Sequence, residues 1–169
     1  METRDEPSIH LRRSPLFKRT VSASMERASG VLMPVSSLPG PYGIGGFGRN
    51  AYDFVDFLVS CKQHYWQILP LTTTSYGDSP YQAFSTFAGN PYLIDLDELV
   101  KDGYLLQEEL DRVDWGSRAD QVDFSKMYDQ RLRVLHLAWS RFHKAPAERY
   151  TEYVRQQSAW LEEYVLFMA

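Results

Sequence analysis

The chain has 169 residues, 44% hydrophobic and 24% charged, a balance that suits a soluble globular protein with a core of its own. A net charge of −4 disfavours nucleic acid and anionic membrane surfaces as partners, and no apolar run reaches the roughly 18 residues of a membrane span. The single cysteine, Cys61, excludes an internal disulfide and fits a reducing, cytoplasmic compartment.

Residues 1–24 stand apart. They carry five Lys/Arg against three Asp/Glu, so they sum to +2 and leave −6 for the remainder. They have neither periodicity nor the apolar stretch of a secretory signal, and read as a disordered extension or as a start placed too early, with Met25 a natural alternative. Organised sequence begins after them. Residues 31–35 (VLMPV) read as a short buried strand, with Pro34 pointing to its end or edge. Glycine- and proline-laden turns follow. Asn50 then offers an N-cap, and Ala51, Phe54, Val55 and Leu58 form one helical stripe with Phe57 beside it, predicting a helix to about Lys62. Residues 65–71 (YWQILPL) read as a second strand. Strand, loop, helix and strand form a β-α-β unit, so the strands should be parallel with a right-handed crossover.

A long irregular segment, residues 72–90, comes next, of a length that in compact domains tends to carry function. Asp95 and Asp97 read as turn or capping residues and Gly103 as a helix C′ residue. Met127, Leu132, Leu135, Trp139 and Phe142 give a helical stripe over residues 125–143. Another helix should start with Pro146 at its first position and run to the end, with a break near Ser158. Trp66 and Trp139 fall in apolar stripes and read as core, Cys61 as an inert thiol, and His64, His136 and His143 lack the spacing of metal ligands. The apolar finish LEEYVLFMA, without cap or polar tail, reads as that of a chain cut short at Ala169.

Gly43, Gly45 and Gly48 spell G-x-G-x-x-G, a pattern that in a nucleotide-binding fold follows its strand directly and is answered by an acid about 20 residues on. Here Gly43 comes eight residues after Val35 and the second strand ends Leu-Pro-Leu, so the glycines read better as a loop needing positive φ and close backbone approach. In parallel α/β structures the loops leaving the carboxyl ends of strands share one ligand-binding face. The second of these loops gathers Tyr76, Asp78, Ser79, Tyr81 and Gln82, groups that suit a polyhydroxylated ligand such as a sugar and equally the packing and capping of the loop itself.

Residues 27–33 (RASGVLM), 37–45 (SLPGPYGIG), 65–71 (YWQILPL), 76–82 (YGDSPYQ), 88–96 (AGNPYLIDL) and 160–164 (WLEEY) resemble, in order and spacing, the start of the amylomaltases, the 4-α-glucanotransferases or disproportionating enzymes. The resemblance runs from about Met25 to Ala169 and departs from the family at Thr72-Thr73, where a Gly-Pro pair is common. It implies the α/β fold of a (β/α)8 (TIM) barrel with a helical insertion, incomplete in this chain, with residues 25–169 as its N-terminal portion. It implies transfer of α-1,4-glucan segments to glucose or another glucan by a retaining double displacement, without cofactor or metal. The partners implied are α-1,4-glucans, maltooligosaccharides and glucose. The family's catalytic carboxylates lie beyond residue 169, so no catalytic residue is assigned and the chain alone should be inactive; a non-catalytic glucan-binding module is the competing expectation. Ser79 and Tyr81 match the wall of the cleavage site, and Tyr76 and Tyr128 match a second, regulatory glucan groove.

Overall fold

A computed structural model describes residues 27–74, 77–118, 120–144 and 146–169; the extension at 1–24 and Tyr76 lie outside the described residues. Two strands, β1 (Gly30–Leu32) and β2 (Tyr65–Gln67), pair in parallel, with α1 (Arg49–Ser60) between them in sequence. The expected β-α-β unit is therefore present, though both strands are shorter than their apolar runs. Pro34 cannot donate to a ladder, and Val35–Ser37 closes into a 3-10 turn. The last rung is the Met33 N–H on the Gln67 carbonyl at 3.0 Å, and beyond it residues 68–71 find no partner strand among the described residues. Trp66 is half-buried, its indole N–H donating to the Met33 carbonyl at 2.8 Å. The N-cap of α1 is Gly48 rather than Asn50, whose side-chain amide instead donates to the Pro39 carbonyl at 2.7 Å and ties the helix to the preceding turn.

The remainder is mostly helical. A 3-10 turn (Pro91–Leu93) leads to α2 (Leu96–Lys101), capped by the Asp95 carboxylate on the Glu98 N–H, as expected of Asp95. Asp97 sits in the first turn of α2 and accepts the Tyr42 hydroxyl. Gly103 takes φ +77° after the helix, the C′ role read from its position. Helix α3 (Gln107–Asp111) follows. Then α4 (Phe124–Lys126) passes through one π turn (Met127–Arg131) into α5 (Leu132–Phe142). Helix α6 (Glu148–Met168) starts after Ala147, so Pro146 precedes the cap instead of opening the helix. It runs without a break at Ser158, because its 3.6-residue register has no proline or glycine to interrupt it. Trp139 is 44% exposed, not core: it lies among Phe142, His143 and Tyr150 on the outer side of α5.

Three apolar clusters hold these pieces. Val35, Leu38, Ala51 and Leu93 pack beneath the strands; Leu96, Leu105, Leu110, Val134 and Ala138 join α2, α3 and α5; Ile44, Tyr92 and Met127 lie between the two. The glycine loop threads this junction. Gly43 has φ +76°, and a side chain there would strike the Trp115 carbonyl; one at Gly45 would strike the carbonyls of Val35 and Leu38. The glycines thus face the chain's own acceptors, a setting that repels phosphate.

At the same junction Arg131 is 2% exposed. Its guanidinium donates to the Ile94 carbonyl at 2.5 Å and the Tyr42 carbonyl at 3.4 Å, linking α5 to the α2 entry and to the glycine loop. Burial pulls its pKa down to about 10 against the opposing pull of Asp95, so desolvation outweighs the attraction yet leaves the group charged at neutral pH. Truncating a buried, hydrogen-bonded charge strands its acceptors. Arg131→Ala should lower stability by about 3 kcal/mol in urea unfolding, on the scale of broken buried ion pairs.

A second polar link joins α3 to α5. Arg141 pairs with both oxygens of Glu109 at 2.6 and 2.8 Å and donates to the Tyr104 carbonyl at 2.9 Å. The Arg141 hydrogen bond first, then the Leu106 N–H, pull the Glu109 pKa from 4.5 down to about 2. A carboxylate depressed on folding stabilises above its unfolded pKa and loses that contribution as pH falls toward the folded value. The wild-type urea midpoint should therefore fall between pH 4.5 and 2 more steeply than that of Glu109→Gln.

Candidate functional site

The loops that leave β1 and β2 meet at the carboxyl ends of the strands, around a cavity of about 240 Å3. From the first loop come Pro34, Ser36, Ser37 and Ile44; from the second come Leu69, Pro70, Thr74, Asp78 and Pro80; Asn90, Tyr92 and Phe124 close the far side. This is the convergence expected of a parallel pair. Tyr42 takes no part in it, because its ring packs edge-on to Trp115 at 5.5 Å and its hydroxyl is held by Asp97.

The second loop is closed at its base. Thr72 and Gly89 form an antiparallel bridge, and the Asn90 N–H reaches the Leu71 carbonyl at 2.8 Å. Between these ends the chain makes a compact surface loop whose ends meet. The unusual Thr72-Thr73 pair stands at that entry; the Thr73 hydroxyl is buried with no hydrogen-bond partner among the described residues. Asp78 adopts φ +56°, a left-handed conformation that aspartate tolerates better than most side chains. The left-handed turn is followed at once by Ser79, whose hydroxyl accepts the Tyr81 N–H at 3.3 Å while its carbonyl accepts the Gln82 N–H at 3.1 Å. Tyr81 projects outward, 73% exposed.

Asp78 is the charged member of the cavity wall. One of its oxygens, Oδ1, is buried with no hydrogen-bond partner among the described residues. Two tyrosines stand nearby, Tyr92 and Tyr128, with ring centroids 5.9 Å apart and planes at 85°. Burial first, then Tyr128 and Asp78, push the Tyr92 pKa up to about 12. Burial first, then the nearby Asp78 carboxylate, raise Tyr128 as well. The structure therefore brings Tyr128, which sequence alone assigns to a groove away from Ser79, against the residue preceding Ser79. Tyr128 is half exposed, on the π turn, while its neighbour Met127 is fully buried. Among the sequence-predicted residues, Ser79 and Tyr81 share one turn and Tyr128 faces its start. Tyr92 and Asn90 were not singled out. The signal available for them was the Asn90-Pro91 pair opening a 3-10 turn, where the Asn90 side chain accepts the Tyr92 N–H at 2.9 Å and points the ring inward.

A family model described as 4-alpha-glucanotransferase matches residues 33–169. The chain belongs to the 4-alpha-glucanotransferase family. It is 54% identical over 145 residues to the 4-alpha-glucanotransferase of Streptococcus pneumoniae serotype 4, a match covering 85% of this chain and 29% of that relative. It is 46% identical to the Thermus thermophilus 4-alpha-glucanotransferase over 149 residues, covering 86% and 29% of the two chains. A solved structure, an amylomaltase from Streptococcus agalactiae in complex with acarbose, superposes with a TM-score of 0.78 at 48% identity, covering 85% of this chain and 29% of that one. The chain thus spans about 29% of the length of these relatives. No helix among the described residues is long and apolar enough to cross a membrane.

The Asp78–tyrosine arrangement has a spectroscopic consequence. An anion beside a phenol opposes its ionisation. Asp78→Asn should lower the pKa of Tyr128, where Asp78 follows burial directly, and lower that of Tyr92 less, where Asp78 stands behind both burial and Tyr128. Ultraviolet titration of the variant against Tyr128→Phe and Tyr92→Phe backgrounds separates the two phenols.

Proposed function

We propose that this chain forms one wall of the glucan cleft of a cytoplasmic 4-α-glucanotransferase. Residues 25–169 are the N-terminal portion of a (β/α)8 barrel with helices α2 to α5 as its insertion. Such an enzyme transfers α-1,4-glucan segments to glucose or to another maltooligosaccharide with retention of configuration. The observation that carries this reading is the cavity at the carboxyl ends of two parallel strands, in a chain 54% identical to a 4-alpha-glucanotransferase. Ligand sites of parallel barrels gather at that end. The exposed side chains of Leu32 and Tyr65 on the short strands, and of Val55, Phe57 and Val59 on α1, also suit an element that packs among further barrel strands and helices.

In this scheme Tyr81 offers its ring face to a sugar and its hydroxyl to a sugar hydroxyl, and Ser79 belongs to the same wall. Tyr76 and Tyr128 line the second glucan groove. Hydroxyl, amide and aromatic groups around the cavity, with Asp78 the one carboxylate among its lining residues, match a neutral polyol better than an anion. Retaining transfer needs two carboxyl groups about 5 Å apart flanking the scissile bond. A barrel of about 250 residues exceeds this chain, and the pair is assigned outside these 169 residues.

The test has two arms. The 169-residue chain should bind maltoheptaose yet release no glucose from maltotriose. A chimera with residues 27–169 in place of the matching stretch of the Streptococcus pneumoniae enzyme should convert maltotriose to glucose and longer oligosaccharides. A chimera that folds without doing so favours the glucan-binding module, and transfer by the isolated chain would overturn the division of labour. Within the active chimera, Tyr81→Ala should cut kcat/KM by about tenfold or more, the scale of one aromatic platform, with an unchanged melting temperature.

A further inference from the structure

Helix α6 holds 21 residues, about 30 Å of helix, and none of them is buried. Its aromatic contacts lie toward its two ends. Near its start Tyr150 meets Phe142 edge-on at 5.2 Å and Trp139 at 5.9 Å, both on α5. In its second half Trp160 stacks on Phe87 at 5.5 Å with planes at 25°, and Phe167 meets Phe84 at 5.8 Å. Trp160 and Phe167 are seven residues apart, two turns along one helix face. Phe84 and Phe87 belong to the loop that carries Ser79 and Tyr81. That loop is fixed at its base by the Thr72–Gly89 bridge, and its local ties run from Ser79 to Tyr81 and Gln82 and from Ser85 to Phe87 and Ala88.

We propose that α6 is a strut that sets the position of this loop, with Trp160 and Phe167 as positioning residues for the side chains of Ser79 and Tyr81. The base, the Thr72–Gly89 bridge with the Asn90–Leu71 hydrogen bond, leaves the returning limb from Tyr81 to Ala88 free to swing. Two aromatic contacts on its returning limb remove that freedom. They join the loop through α6 to the α5 aromatic cluster. Trp160 is itself set for the contact: its indole N–H donates to the Gln157 side chain at 2.8 Å and its ring meets Tyr164 at 6.0 Å. The sugar-binding consequence rests on the proposed role of Tyr81; the mechanical link does not.

The experiment is amide hydrogen exchange on the full 169-residue chain, with Trp160→Leu, Trp160→Phe and Phe87→Leu, paired with maltoheptaose titration. Losing one aromatic pair should accelerate exchange over residues 81–88 about fivefold in Trp160→Leu. Residues 132–142 of α5 should be unaffected. Phe87→Leu, made on the exposed loop rather than in the helix, should give the same result, and the double variant should add little to either single one. Trp160→Phe should restore parental exchange. Maltoheptaose affinity should fall about fivefold in the Leu variants and recover in Trp160→Phe. Unchanged exchange over 81–88 in both Leu variants overturns the strut. Accelerated exchange with no glucan binding even in the parent leaves the strut standing and removes the sugar-binding role of Tyr81 instead.

Discussion

A single buried cation ties the parts of this molecule together. The Arg131 guanidinium touches two carbonyls from segments 37 and 89 residues away in sequence, Ile94 and Tyr42. Each is the end of a structural statement: Ile94 leads into the Asp95 cap of α2, and Tyr42 opens the glycine loop. Neither carbonyl sits in a helix or ladder that would satisfy it, so each needs a donor from elsewhere. Lysine has the charge but not the planar fork that serves two acceptors at once. The drop to about 10 in the Arg131 pKa shows that burial costs more than Asp95 returns. The fold tolerates that cost because the apolar clusters on either side cannot meet across unpaired carbonyls.

The site inherits its geometry from this junction. With the glycine loop pinned by Arg131 and packed carbonyl against Cα, the first strand's loop has little freedom, and it forms the rigid side of the cavity. The opposite side is of another kind. It is irregular backbone closed at the base, turned sharply at Asp78, and steadied by rings on α6.

The legible parts of the sequence were those whose signal is local. The parallel pair follows from two apolar runs flanking an amphipathic helix, and the Asp95 cap and the Gly103 C′ residue from single side chains. The glycine loop was legible as a packing device because its spacing from the strand is wrong for phosphate. The strand ends were not, since strand length depends on whether a partner is present opposite, and β1 stops at Pro34. Trp139 misled for a similar reason. Its stripe position is that of a core residue, but α6 covers it only through Tyr150, leaving a cluster of rings in place of a core. Arg131 gave no sign at all, because an arginine in a helix usually belongs to the solvent face.

Tyr128 shows what the fold adds to the sequence reading. By resemblance it belongs with Tyr76 in a groove distinct from the cleavage wall. In space it stands near the Asp78 carboxylate, which helps raise its pKa, and Asp78 takes the left-handed turn just before Ser79. A ligand that moves the Tyr128 ring therefore changes the surroundings of that carboxylate. Tyr92, edge-on to Tyr128 and on the cavity wall, would feel the same displacement. Both phenols thus answer to the one carboxylate that precedes Ser79.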